Sequence, residues 1–226
     1  MISLGTYKNV PVTDARDPLN SISLHALWKK KPTLFLFFRR LGCVLCRSYA
    51  KQMDLNRQLF EKLGVQVVAM SFEAFGEGSD SDRSFEAGGF WTGPIYVVQK
   101  RVYEKLFGRK GITNSFFGFL DMDKDALAAA KAAGIQGNIR GDGFVLGGQI
   151  LVNTNGEVVF EHKQKRYGDD ATFKDLAGAI LEHFYVGSNL TIDFLTTASV
   201  EQVARELLAE QISRETKNDT APQQSL

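Results

Sequence analysis

The chain has 226 residues, 44% apolar and 23% charged, which is enough hydrophobic material to bury a core and excludes wholesale disorder. Basic residues number 27 and acidic residues 26, so the formal charge is +1 and the phosphate-binding surplus of a protein built to hold nucleic acid is excluded. The longest apolar run, Leu34 to Phe38, is strand-sized and ends at Arg39-Arg40, so no segment reaches the length of a membrane span.

Met1 to Asn9 lacks the charged start and apolar stretch of a secretory signal. The ending Gln224-Ser225-Leu226 lacks the middle basic residue of a peroxisomal address. A soluble cytosolic protein is the expectation. Thr33 to Phe38 is continuously apolar and reads as a strand buried on both faces. From Cys43 the period becomes helical, with Leu45, Tyr49, Met53, Phe60 and Leu63 on one side and Gly64 as the natural stop. Val65 to Ser71 is a second buried strand, completing a βαβ unit.

The polar, glycine-rich stretch Gly76 to Gly89 reads as a surface loop with a helical turn near Phe85. Ile95 to Val98 is a short strand and Lys100 to Phe107 a helix. Asp125 to Ala133 is an alanine-rich helix that Asp121 or Asp123 can cap and Gly134 stops. Gln149–Asn153 and Val158–Glu161 flank Asn155-Gly156, a hairpin signal. Ala171 to Phe184 is helical, with Phe173, Leu176, Ile180, Leu181 and Phe184 on one side. Residues 1–186 form one domain on this reading. Residues 187–226 form an extension, with a helix over Val200 to Ile212 capped by Ser199 and a disordered polar tail after Arg214.

The chain has two cysteines, Cys43 and Cys46, which cannot make the disulfide framework of a small secreted domain. As a C-x-x-C pair at the end of a buried strand and the start of a helix, they point to redox chemistry in a thioredoxin-type arrangement. Thiolate is the reactive form, and unpaired N–H groups and the positive end of a helix dipole stabilise an anion at a helix start. Arg39, Arg40 and Arg47 add positive charge nearby, although each is also explained as a strand end or a solvated helix residue. Cys46, one turn on, is placed to attack an oxidised Cys43 and close a disulfide. Zinc needs about four ligands, and His25, His162 and His183 are isolated and show no ligand spacing, so no metal is expected. Neither G-x-G-x-x-G before a helix nor a Walker lysine occurs, so the glycines at 141, 143, 147 and 148 do not make a nucleotide site. Asp121, Asp123 and Asp125 lack the glycine and glutamate of a calcium loop.

Phe38-Arg39-Arg40-Leu41-Gly42-Cys43-Val44-Leu45-Cys46-Arg47 and Ala133-Gly134-Ile135-Gln136-Gly137-Asn138, followed by Gly141-Asp142 and Gly147-Gly148, resemble the peroxiredoxin-like family that includes prostamide/prostaglandin F synthase. The resemblance spans about residues 20 to 185. It implies an α/β thioredoxin-like fold, a central mixed sheet flanked by helices. It also implies reduction of a peroxide or endoperoxide O–O bond, in the named enzyme that of prostaglandin H, with NADPH as ultimate electron source and no tightly bound cofactor. A thioredoxin-type or other dithiol reductant is the implied partner. The Gly76–Ser84 loop is longer than the family pattern. In true peroxiredoxins the reactive cysteine follows a threonine by three positions; Cys43 takes the threonine's place and Cys46 the cysteine's, so the first nucleophile stays open. Where thioredoxin-like folds carry a cis-proline beside the cysteines, this chain has Gly147-Gly148, which either clear space for substrate or merely permit a tight backbone. A protein disulfide oxidoreductase and a non-catalytic interaction module remain alternatives. Cys43 is expected to be the more acidic and the more exposed thiol.

Overall fold

The computed structural model describes residues 4–110 and 122–185. The central strand β3 (Thr33–Phe37) is buried at every position. Its alternate side chains feed two separate cores. Leu34, Leu36 and Phe38 join one with Tyr49, Met53, Phe60, Leu176 and Ile180, while Phe35 and Phe37 join the other with Leu24, Trp28, Val102, Tyr103 and Phe107. That division is why the run reads as unbroken apolar sequence: both faces of the sheet are covered.

A seven-stranded sheet has the order β2-β1-β5-β4-β3-β6-β7. Its strands are β1 (Pro11–Asp14), β2 (Ser21–Ser23), β3, β4 (Gln66–Ser71), β5 (Ile95–Val97), β6 (Gly148–Val152) and β7 (Val158–Lys163). The pairs β3–β4 and β4–β5 are parallel and the rest antiparallel. Helices α1 (Val44–Lys62) and α5 (Phe173–Phe184) supply one core layer, and α3 (Lys100–Phe107) with the 3-10 turn Leu24–Leu27 supplies the other. Two further helices, α2 (Ser84–Ala87) and α4 (Lys124–Ala132), lie in the segments between strands. This is the thioredoxin-like mixed α/β architecture that the sequence implies.

Local chemistry sets the boundaries. Gly64 follows α1 at φ 73, and Gly134 follows α4 at φ 68, the positive values that favour glycine at a helix stop. Asp123 caps α4 through Ala126 N–H at 2.9 Å, and Thr172 with Asp175 forms a capping box on α5. Gly156, at φ 85, closes the β6–β7 hairpin.

The segment 76–89 is largely exposed and carries the expected helical turn, α2, at Phe85, but three of its residues, Ser79, Asp80 and Phe85, are fully buried. Ser79 Oγ accepts from Gly42 N–H, and the Asp80 carboxylate lies 3.7 Å from Arg47, beside the cysteine turn. The β1–β2 hairpin, short and mostly polar, had no counterpart in the sequence reading; it extends the sheet beyond β5. The segment 187–226 and its Val200–Ile212 stripe lie outside the described residues. No helix among the described residues is long and apolar enough to cross a membrane.

Candidate active site

Strand β3 delivers the chain to Arg39, and the turn 39–43 leads directly into α1. Cys43 is the N-cap residue of that helix, extended at φ −77 and ψ 127, so its thiol sits at the positive end of the helix dipole. Arg39 Nη2 donates to Cys43 Sγ at 3.0 Å. The same guanidinium donates through Nη1 to Gly143 O at 2.7 Å and lies 4.2 Å from the centroid of the Tyr167 ring. Burial alone would lower the pKa of Arg39, but the negative charge and hydrogen bond of the Cys43 thiolate outweigh it and keep the group cationic.

The two cysteines differ in acidity. The hydrogen bond from the Cys46 thiol, aided by the Arg39 charge and the Cys46 backbone N–H, holds Cys43 well below the usual thiol range despite burial. Cys46 is pushed well above that range, because its proton is held by Cys43 and because it is buried. The more acidic thiol is therefore Cys43, as expected. It is not the more exposed one: Cys43 is 4% and Cys46 5% accessible. What separates them is the space in front. Cys43 lines a cavity of about 710 Å³ together with Arg39, Arg40, Val44, Leu127, Ile135 and Phe144.

The other two arginines serve the backbone around the cysteines. Arg40 donates to Asn138 O and, at 2.7 Å, to Arg140 O, tying down the 138–140 segment of the cavity wall. Arg47 donates to Leu41 O at 2.8 Å and Gln136 O at 2.9 Å and lies 3.7 Å from Asp80, whose side chain is completely buried. Gly147 and Gly148 do not open the site. A Cβ on Gly147 would stand 2.2 Å from Phe37 O, and one on Gly148 would stand 2.1 Å from His162 O. These glycines let neighbouring strands approach at the sheet end, which is the contact the backbone reading requires.

A family model described as AhpC/TSA antioxidant enzyme matches residues 20–166. The chain belongs to this family. Among curated relatives of this AhpC/TSA protein is the prostamide/prostaglandin F synthase of Sus scrofa, 31% identical over 164 residues, covering 71% of this chain and 79% of the relative. The corresponding protein of Salmo salar is 32% identical, covering 71% and 80%. Peroxiredoxin-like 2A of Danio rerio is 29% identical, covering 70% and 72%. A crystal structure of a peroxiredoxin 6 of Arenicola marina superposes with a TM-score of 0.53 at 10% identity, over 80% of this chain and 72% of that one; this likeness concerns the fold.

Several residues of this AhpC/TSA site went unassigned in the sequence reading. Glu73, beyond β4, accepts from Leu41 N–H at 3.1 Å and from Ser79 N–H at 3.1 Å, and Gly42 N–H donates to Ser79 Oγ at 2.7 Å. Asn138 N–H donates to Gly42 O at 2.7 Å, and its side-chain amide donates to Ser79 O at 2.9 Å. Gly42 and Gly137 are glycines for a reason of contact: a Cβ on Gly137 would lie 2.6 Å from Val44 N. The Gly137-Asn138 motif is thus the strap that presses on the cysteine turn, a role only its quotation within the family pattern hinted at. Nothing in the sequence pairs Glu73 or Ser79 with Gly42, which they follow by more than thirty positions.

Proposed function

We propose that this protein is a thiol-dependent peroxidase that reduces an organic peroxide or endoperoxide through Cys43 and Cys46. The observation that carries this reading is an acidic cysteine held by a buried arginine and facing a cavity with largely apolar walls. The Cys43 thiolate attacks one oxygen of the O–O bond. With a hydroperoxide, the bond breaks to give the Cys43 sulfenic acid and an alcohol, the leaving oxygen taking a proton. With an endoperoxide, attack opens the ring to a sulfenate ester and an alcohol. Cys46 then attacks Cys43 Sγ, releases water or the second hydroxyl, and closes a Cys43–Cys46 disulfide. The two electrons come from the thiol pair and are restored by an external dithiol of thioredoxin type, with NADPH as their ultimate source. Relatives named for prostaglandin F synthesis, and the apolar walls Val44, Leu127, Ile135 and Phe144, favour a lipid-like endoperoxide such as prostaglandin H over hydrogen peroxide.

Anaerobic titration of the reduced protein with hydrogen peroxide, a lipid hydroperoxide and prostaglandin H tests the reading. Loss of two thiols per equivalent, fastest with the lipid substrates, is expected. Thiols that survive all three but are consumed by protein disulfides would replace it with a protein disulfide oxidoreductase.

A further inference from the structure

The carbonyl that holds Arg39 belongs to a turn with a charged anchor of its own. Arg39 Nη1 donates to Gly143 O at 2.7 Å, and Gly143 stands between Asp142 and Phe144. Asp142 Oδ1 accepts from Phe144 N–H at 3.0 Å, so its carboxylate closes the backbone around that carbonyl. The same carboxylate meets two cations, Lys100 Nζ and, at 2.9 Å, Arg109 Nη1. Arg109 is itself aligned by Glu104 Oε1 at 2.6 Å. The Asp142 side chain is only 18% accessible, so solvent screens these pairs incompletely. Burial by itself would raise the Asp142 pKa, but the hydrogen bonds from Lys100, Phe144 N–H and Arg109 hold it at about 2, ionised wherever a thiol titrates.

The two cations are fixed to the core. Lys100 opens α3, and Arg109 lies just past its end. Tyr103 and Phe107 of α3 are buried and pack on Phe37, with ring centroids 5.3 Å and 4.9 Å from its own. Tyr103 Oη donates to Phe38 O at 3.3 Å, immediately beyond β3, the strand that delivers Arg39. Backbone hydrogen bonds strengthen the tie: Lys110 N–H donates to Phe144 O at 2.9 Å, and Leu146 N–H donates to Gly108 O at 3.2 Å. The contacts close a ring, from β3 through Arg39, Gly143, Asp142 and α3 back to β3.

We propose that Asp142 is a positioning residue for Cys43: it holds the Gly143 carbonyl where Arg39 must bind to keep its other nitrogen on Sγ. Among the described residues Asp142 makes no hydrogen bond to either cysteine, and it acts through Arg39. Its own charge works the other way. A carboxylate nearby disfavours a thiolate, so if charge were all that mattered, removing Asp142 would lower the Cys43 pKa. Releasing the turn instead deprives Arg39 of an anchor, weakens its bond to Sγ and raises the Cys43 pKa. The sign of the change therefore separates the two roles. Cys43 itself answers to Cys46, Arg39 and Arg40, and Asp142 to Lys100, Arg109 and, through Arg109, Glu104.

The test uses no peroxide, so its failure is distinct from failure of the peroxidase reading. Alkylation of Cys43 by iodoacetamide is followed against pH in the full chain by peptide mass analysis, with circular dichroism to confirm folding. Asp142→Ala is expected to move the inflection upward by about half a pH unit and to slow alkylation about threefold on its acid side. Asp142→Asn keeps an oxygen for Phe144 N–H but loses both ion pairs, and it shifts the inflection in the same direction by less. In an Arg39→Gln background Asp142→Ala adds no upward shift, because the residue through which it acts is gone. An inflection that is unchanged or lowered in Asp142→Ala, or raised as much without Arg39 as with it, overturns the proposal. Should Asp142→Ala not fold, an unchanged or lowered inflection in Asp142→Asn overturns it equally.

Discussion

Arg39 and Cys43 are four positions apart and meet across the turn that enters α1, Nη2 donating to Sγ at 3.0 Å. The guanidinium cannot swing to solvent, because Gly143 O holds its other nitrogen and the Tyr167 ring lies against its face. A planar cation locked on two sides retains its charge beside the sulfur without the ordering entropy that a surface arginine would lose. The acidity of Cys43 is therefore a property of the tertiary packing around Arg39 as well as of the helix start.

Replacing Arg39 tests that relationship. The folded Cys43 is depressed well below a free thiol, so its alkylation by iodoacetamide stays fast as pH falls below 8 and declines only through the depressed value. Arg39→Gln is expected to move the inflection upward by about one pH unit and slow alkylation about tenfold on its acid side. Peptide mass analysis confines the readout to Cys43. A wild-type inflection at or above about 8.5 contradicts the assignment of a stabilised thiolate.

The unequal thiols also order the two steps. Cys43→Ser should fail to consume one equivalent of lipid hydroperoxide. Cys46→Ser should consume one equivalent and stop, with an oxidised or covalently modified Cys43 visible by intact mass. Survival of the first turnover in Cys43→Ser, with its loss in Cys46→Ser, would reverse the roles.

Gly148→Ala places a methyl group where backbone already stands, 2.1 Å from His162 O. The sheet end must part to admit it, at a cost of about 1–3 kcal/mol. Denaturant midpoint and turnover per molecule are expected to fall together. Loss of turnover at unchanged stability would restore the idea that the glycine keeps space open for substrate.

Arg47 and Asp80 form a buried pair, their side chains 6% and 0% accessible. Arg47→Met leaves the Asp80 carboxylate without its cation and removes the donor to Leu41 O and Gln136 O. A loss of about 3–5 kcal/mol is expected by equilibrium unfolding. Adding Asp80→Asn should recover part of it, since the uncompensated charge is then gone. A second substitution that adds further loss would mean that the charge pair is not what Arg47 contributes.

The described elements that carry the two cores and the cysteine site lie between Leu4 and Tyr185. A chain ending at Gly187 is accordingly expected to fold and to keep its turnover per molecule. Insoluble or inactive protein from that truncation would make residues 188–226 part of the catalytic domain.

Some of this protein was legible residue by residue. The buried strand at 33–37, the helix opened by Cys43 and closed by Gly64, and the Asn155-Gly156 hairpin all follow from local physics: periodicity, capping and the conformational freedom of glycine act over a few positions. The C-x-x-C at a strand-to-helix junction is of the same kind, since both thiols and the dipole belong to one helix start. The division of labour among Arg39, Arg40 and Arg47 was not legible. All three stand close to the cysteines in sequence, and only the packing of distant segments decides that Arg39 reaches the sulfur while Arg40 binds the 138–140 backbone and Arg47 faces Asp80. Gly147 and Gly148 were ambiguous for the same reason. A glycine reveals that a side chain is missing, and whether substrate or the oxygens of Phe37 and His162 occupy the place depends on which strand lies alongside. Burial of charge and hydrogen-bond satisfaction are settled by the whole fold, and those two quantities give this site its chemistry.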